Sequence, residues 1–196
     1  YFEAGADIVE TDTFGGTPIV LAEYSLAASA ADLNREAARL ARQAADEFST
    51  SERPRFVAGS MGPTTKAITV TGGVTFDELR SAFYTQARAL MEGGADLLLV
   101  ETCQDTRNVK AALAAVRATE RELGVHIPLM ISCTIEPTGT MLAGQTADAF
   151  WVSVAHAEPL SIGLNCATGP EFMTDHIRAL HELATSRISC YPNAGL

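Results

Sequence analysis

The run Gly163-Leu164-Asn165-Cys166-Ala167-Thr168-Gly169-Pro170 puts a thiol where an apolar strand hands over to a helix. Leu160 to Leu164 reads as a buried strand, Thr168 or Gly169 as the helix cap, and Pro170 as the first helical residue, where a missing N–H costs nothing. In a parallel α/β barrel that junction lies on the active rim, so Cys166 is a candidate functional thiol; buried cysteines also serve as small apolar fillers. Glu10 and Glu101 close other apolar strands. A carboxylate buried there is costly unless it meets a cation, meets an ammonium group or is protonated, and the plainer alternative is bonding to loop amides.

The wider set of strand-end groups is Glu10-Thr11-Asp12-Thr13, Gly59-Ser60-Met61-Gly62-Pro63, Glu101-Thr102-Cys103, Glu136, Asn165-Cys166 and Cys190-Tyr191-Pro192-Asn193. The stretch from Gly59 to Lys66 has glycines like a phosphate cradle but lacks the Gly-Lys-Ser/Thr ending of a P-loop; its backbone N–H groups could still receive a carboxylate. The histidines are weaker candidates. His126 precedes a strand and His156 falls in a helical run, while His176 and His181 are not spaced to share a ligand-presenting face.

These groups need elements to hold them. Strand-like runs cover Asp7 to Glu10, Phe56 to Gly59, Asp96 to Glu101, Ile127 to Ile135, Leu160 to Leu164 and Arg187 to Cys190, with helical runs between. Thr75 and Glu78 form a capping box ahead of the stripe Phe76, Leu79, Phe83, Leu90, which stops at Gly93-Gly94. Asp105 caps the next helix, which ends at Gly124, and a third helix runs from Pro170. An internal echo supports stacked units: Phe2-Glu3-Ala4-Gly5-Ala6-Asp7 leads to Glu10-Thr11 as Met91-Glu92-Gly93-Gly94-Ala95-Asp96 leads to Glu101-Thr102. The alternation predicts an α/β fold with a parallel sheet, a TIM (β/α)8 barrel that is incomplete, with about six of its eight units present and the first and last strands missing. The whole chain, 1–196, reads as one partial barrel domain, opening inside the last turn of a helix already under way.

With 196 residues, 47% hydrophobic and 19% charged, the chain has enough apolar mass for a sizeable core. A formal net charge of −10 without a basic stripe argues against nucleic acid as a partner. No apolar run approaches the roughly 20 residues of a membrane span. Four cysteines without a C-x-x-C pair suit a reducing cytoplasm better than a disulfide framework.

Glu10-Thr11-Asp12-Thr13-Phe14-Gly15, Gly59-Ser60-Met61-Gly62-Pro63-Thr64, Glu101-Thr102-Cys103-Gln104-Asp105-Thr106, Gly163-Leu164-Asn165-Cys166 and Tyr191-Pro192-Asn193-Ala194-Gly195-Leu196, taken in order, resemble the homocysteine-binding domain of cobalamin-dependent methionine synthases. The resemblance covers essentially the whole chain. It implies an eight-stranded barrel in which three cysteine thiolates hold zinc and the sulfur of homocysteine takes the fourth position. Cys166 matches the first ligand. The other two belong to a Gly-Gly-Cys-Cys motif that this chain lacks, and they are expected beyond Leu196; Cys103, Cys133 and Cys190 match no ligand position.

The resemblance further implies that Glu101 and Thr102 contact homocysteine, with Glu101 facing its ammonium. It implies that Asn193 lies near the zinc and that Ser60 is in a loop lining the site. Methylcobalamin would be the methyl donor, presented by a separate cobalamin domain and recharged by a methyltetrahydrofolate domain. Three other readings stand beside this one: a stand-alone homocysteine S-methyltransferase with another donor, a barrel hydrolase using Glu10 and Glu101 as an acid/base pair, and a segment that only binds or is inert when isolated.

Overall fold

The computed structural model describes residues 1–194; Gly195 and Leu196, the end of the last motif quoted above, lie outside the described residues. Six strands form one sheet: β1 (Ile8–Glu10), β2 (Phe56–Met61), β3 (Leu97–Cys103), β4 (Leu129–Cys133), β5 (Ser161–Asn165) and β6 (Arg187–Tyr191). Each is parallel to its neighbours, and sheet order equals chain order. The helices are α1 (Pro18–Leu21), α2 (Ala30–Phe48), α3 (Phe76–Glu92), α4 (Thr106–Leu123), α5 (Ala147–Val154) and α6 (Pro170–Leu183). The six strands make a half-barrel, joined by five successive helical crossovers.

Local chemistry explains the boundaries. Thr75 accepts from the Glu78 N–H while Glu78 reaches back to the Thr75 N–H, closing the capping box of α3. Asp105 caps α4 through the Arg107 N–H, and Gly124, at φ 67, ends it in the left-handed conformation that glycine adopts without strain. Gly169 takes the cap of α6 ahead of Pro170. β4 is shorter than its apolar run because the Ile127 N–H turns away to the Glu120 carboxylate. His156 lies in a short 3-10 turn, Ala155–Ala157, that follows α5.

The internal echo is two copies of one turn. At Gly5 (φ 102) and Gly94 (φ 99) the same pair of bonds closes a Schellman motif: Gly5 N–H to Phe2 and Ala6 N–H to Tyr1, Gly94 N–H to Met91 and Ala95 N–H to Leu90. The aspartate after each turn is fastened by arginine, Asp7 by Arg53 and Arg55 and Asp96 by Arg42.

The sheet has two faces of different character. Leu98, Val100, Ile131, Ile162 and Leu164 pack against the helices in the main core. On the opposite, inner face Ala58, Leu97, Leu99 and Met130 cluster without any helix residue. Towards the C-terminal ends of the strands the inner face turns polar, with Ser60, Glu101, Ser132 and Asn165 all buried.

Candidate functional site

Strand alternation should send Glu101 to the inner face and Thr102 to the helices. The register shifts instead: Val100 pairs with Ile131 and Cys103 with Cys133, so Glu101 and Thr102 together oppose the single residue Ser132. This is a β-bulge, and it turns both side chains inward while returning Cys103 to the helix-facing core. Thr102 takes φ 56 to make it, a conformation that costs a β-branched residue roughly 1–2 kcal/mol.

Glu101, 6% exposed, is held by hydroxyls on both oxygens. Ser60 Oγ donates to Oε1 at 2.5 Å and Tyr191 Oη donates to Oε2 at 3.2 Å. Among the described residues no arginine, lysine or histidine pairs with it. Burial first, and the Glu101 carboxylate second, push the Tyr191 phenol above the ordinary tyrosine range, so it remains a donor. A buried carboxylate ringed by neutral donors keeps its charge without a cation among the described residues, a costly arrangement unless a further partner is met.

Asn165, the last residue of β5, reaches across the end of β4 to the bulge. Its Oδ1 accepts from the Thr102 N–H at 3.0 Å and from Ser132 Oγ at 2.6 Å, and its Nδ2 donates to Thr102 Oγ1 at 2.7 Å. Cys166 follows directly, partly exposed; it and Ala167 take φ 57 and 58, a paired left-handed step that lifts the thiol out of the strand. The Cys166 N–H reaches the Tyr191 carbonyl and the Asn193 N–H reaches the Thr168 carbonyl, so exposed Asn193 is fastened beside the thiol-bearing loop.

At the sheet edge Thr11, Thr13 and Ser60 are interlocked: Thr13 donates to the Ser60 carbonyl and the Ser60 N–H donates to Thr11 Oγ1. Glu10 is exposed at the end of β1, and its carboxyl lies above the usual glutamate range, through partial burial first and the Glu101 charge second. The Gly62 N–H is taken by the Phe14 carbonyl and Phe14 packs on Gly62, so this amide is not free to cradle an anion. Glu136 sits in a tight turn with Thr140 and has no hydrogen bond to the Glu101 group.

The remaining cysteines stay apart from Cys166. Cys103 and Cys133 are buried among the helix-facing residues, where desolvation pushes both thiols far up. Cys190 contacts Met173 instead. Among the described residues no three His, Cys, Asp or Glu side chains stand close enough to hold a metal ion. Cys166 therefore fits a metal as one thiolate donor of a larger set.

The sequence profile for homocysteine S-methyltransferases matches residues 1–196. The chain belongs to the homocysteine S-methyltransferase family. It is 45% identical over 199 residues to the methionine synthase of Mycobacterium leprae (strain TN), a match that takes in all of this chain and 16% of that protein. Its fold is that of the Escherichia coli homocysteine methyltransferase MmuM. The metallated crystal form superposes with a TM-score of 0.85 at 24% identity, covering 100% of this chain and 69% of that one. The oxidized form gives 0.81 at 25% identity, with 100% and 68% covered. The family member described here thus spans a small part of its methionine synthase relative. No helix among the described residues is long and apolar enough to cross a membrane.

The structure adds residues to which sequence reading gave no role. Ser132 sits mid-strand and carries no motif; Asn165 and Tyr191 lie within quoted motifs, but their partners, 63 and 90 residues away, are visible only in the fold.

Proposed function

We propose that this chain is the homocysteine-binding part of a cobalamin-dependent methionine synthase, acting in zinc-dependent methyl transfer to the homocysteine thiol to form methionine. The observation that carries the reading is Glu101: a buried carboxylate, hydrogen-bonded among the described residues by hydroxyls alone, near the end of the sheet that also carries a strand-end thiol. Homocysteine offers a matching pair of groups, an ammonium for Glu101 and a sulfur for a metal beside Cys166.

In this reading Glu101 takes the ammonium, with Ser60 and Tyr191 fixing the direction of its oxygens. Thr102 and Ser60 line the pocket, and Asn193 stands at the thiol side. Cys166 supplies one zinc ligand, and two further thiolates come from residues beyond Leu196. When bound, zinc holds the substrate sulfur as a thiolate at neutral pH, where a free thiol is mostly protonated. The barrel is completed to eight strands by chain outside these residues, and residues 1–196 form part of that one domain. The donor is methylcobalamin on another domain, recharged by a methyltetrahydrofolate domain, in the cytoplasm; the 45% likeness to a much longer methionine synthase supports this over another donor.

The test is Cys166→Ser in the intact protein. Zinc falls well below one per chain and methyl transfer falls to background, because two thiolates cannot close a catalytic site. One tightly held zinc with normal turnover overturns the assignment.

A further inference from the structure

Asn165 touches neither Cys166 Sγ nor Glu101 directly, yet it is the group through which β3 and β5 meet. Its amide is used in full on one side: Oδ1 takes two donors, the Thr102 N–H and the Ser132 hydroxyl, and Nδ2 gives a hydrogen bond to Thr102 Oγ1. It is 3% exposed, so these bonds have no competition from solvent. Both atoms of Thr102 that it grips belong to the residue at φ 56.

We infer that Asn165 is a positioning residue that holds the β3 bulge, keeping Thr102 on the inner face and the adjoining Glu101 carboxylate in fixed relation to the thiol of Cys166. The inference rests on the function proposed above. Without the amide, Thr102 has no reason to stay in a conformation that β-branched residues avoid. On relaxing to an ordinary strand conformation it restores alternation: Thr102 turns to the helices, the end of β3 shifts with it, and Glu101 loses the fixed neighbour that sets its carboxylate against the rest of the rim. An amide suits this place because it both accepts from a backbone N–H and donates to a hydroxyl; an apolar residue does neither. Since Asn165 and Cys166 are adjacent in the chain, a shift at one end of the site is felt at the other.

The experiment compares two thiols in the intact, zinc-loaded protein by calorimetric titration: homocysteine and 4-mercaptobutanoate, which is homocysteine without its amino group. The unaltered protein prefers homocysteine by about tenfold or more, the worth of a charge-assisted hydrogen bond. Glu101→Gln removes most of that preference, and Asn165→Ala lowers it at least severalfold by misaligning the carboxylate, with zinc content unchanged. A merely structural loss weakens both thiols together and leaves the ratio alone. If Glu101→Gln abolishes the preference but Asn165→Ala keeps it, the positioning role is overturned while the proposed function stands. If the unaltered protein shows no preference, the function itself fails. Should Asn165→Ala not fold, Ser132→Ala, which removes one donor from the amide, carries the test: a reduced preference supports the role and an unchanged one overturns it.

Discussion

The phenol of Tyr191, on β6, donates a hydrogen bond to Glu101 Oε2, on β3, at 3.2 Å, joining strands that are not neighbours in the sheet. Only an inward-curving sheet brings these strand ends within reach, so this bond is a measure of the closure already present in six strands.

The pKa of Tyr191 is raised in the fold by burial and then by Glu101. An acid group with a raised folded pKa binds its proton more tightly folded than unfolded, so it contributes stability below the ordinary tyrosine range and loses it as pH rises past about 10. Tyr191→Phe removes that contribution. Chemical denaturation of both proteins is expected to show a stability difference whose pH slope appears only above about pH 10; a slope near neutrality contradicts it.

Glu10 carries the same sign at the acid end. Its carboxyl is raised by partial burial first and Glu101 second, so ionisation of Glu10 opposes folding once pH exceeds the ordinary glutamate range. Glu10→Gln is expected to raise the unfolding temperature at neutral pH, and the gain should vanish towards about pH 4. Thermal scans across that interval decide it.

Gly163 faces β6 with no room for a side chain: a Cβ there would lie 2.1 Å from both the carbonyl oxygen and Oγ of Ser189. Gly163→Ala must push β6 away, costing about 1–3 kcal/mol or more by overpacking, since backbone cannot turn aside as a flexible side chain does. Because Tyr191 and Asn193 leave with β6, the proposed function has homocysteine affinity fall along with stability. Unfolding in denaturant and a ligand titration report the two effects.

Thr75→Ala is the remote control. Losing the cap of α3 should cost about 1 kcal/mol, lowering the unfolding temperature by roughly 2–4 °C, and under the proposed function it leaves homocysteine affinity and zinc content unaltered.

Much of the architecture is legible in the sequence. The six apolar runs became six strands, and the Thr75–Glu78 box, the Asp105 cap and Pro170 mark helices because those signals act within one turn of chain. The echo around Gly5 and Gly94 was legible as punctuation, and its Schellman bonds follow from glycine at φ near 100. The bulge was not legible. Nothing in Val100-Glu101-Thr102-Cys103 says that two successive side chains share a face, because the cause lies in Asn165, on a strand two places away in the sheet. Glu101, Cys166, Ser60 and Tyr191 can all be named as strand-end groups, but that the two hydroxyls bond Glu101 cannot: Ser60 precedes it by 41 residues and Tyr191 follows it by 90. Gly62, which reads as a free amide in a glycine-rich loop, is occupied by Phe14 from another loop.

Since every strand pairs with the one made just before it, sheet growth runs in the direction of translation. A chain leaving the ribosome N-terminus first offers each new strand an edge that already exists, and no early strand waits for a late partner before it can be laid down. The order also sets a schedule for the chemistry. Ser60 and Glu101 can meet as soon as β3 is seated on β2, while Asn165, Cys166 and Tyr191 arrive two and three strands later. The carboxylate half of the pocket is thus assembled as a template, and the thiol half is fitted onto it.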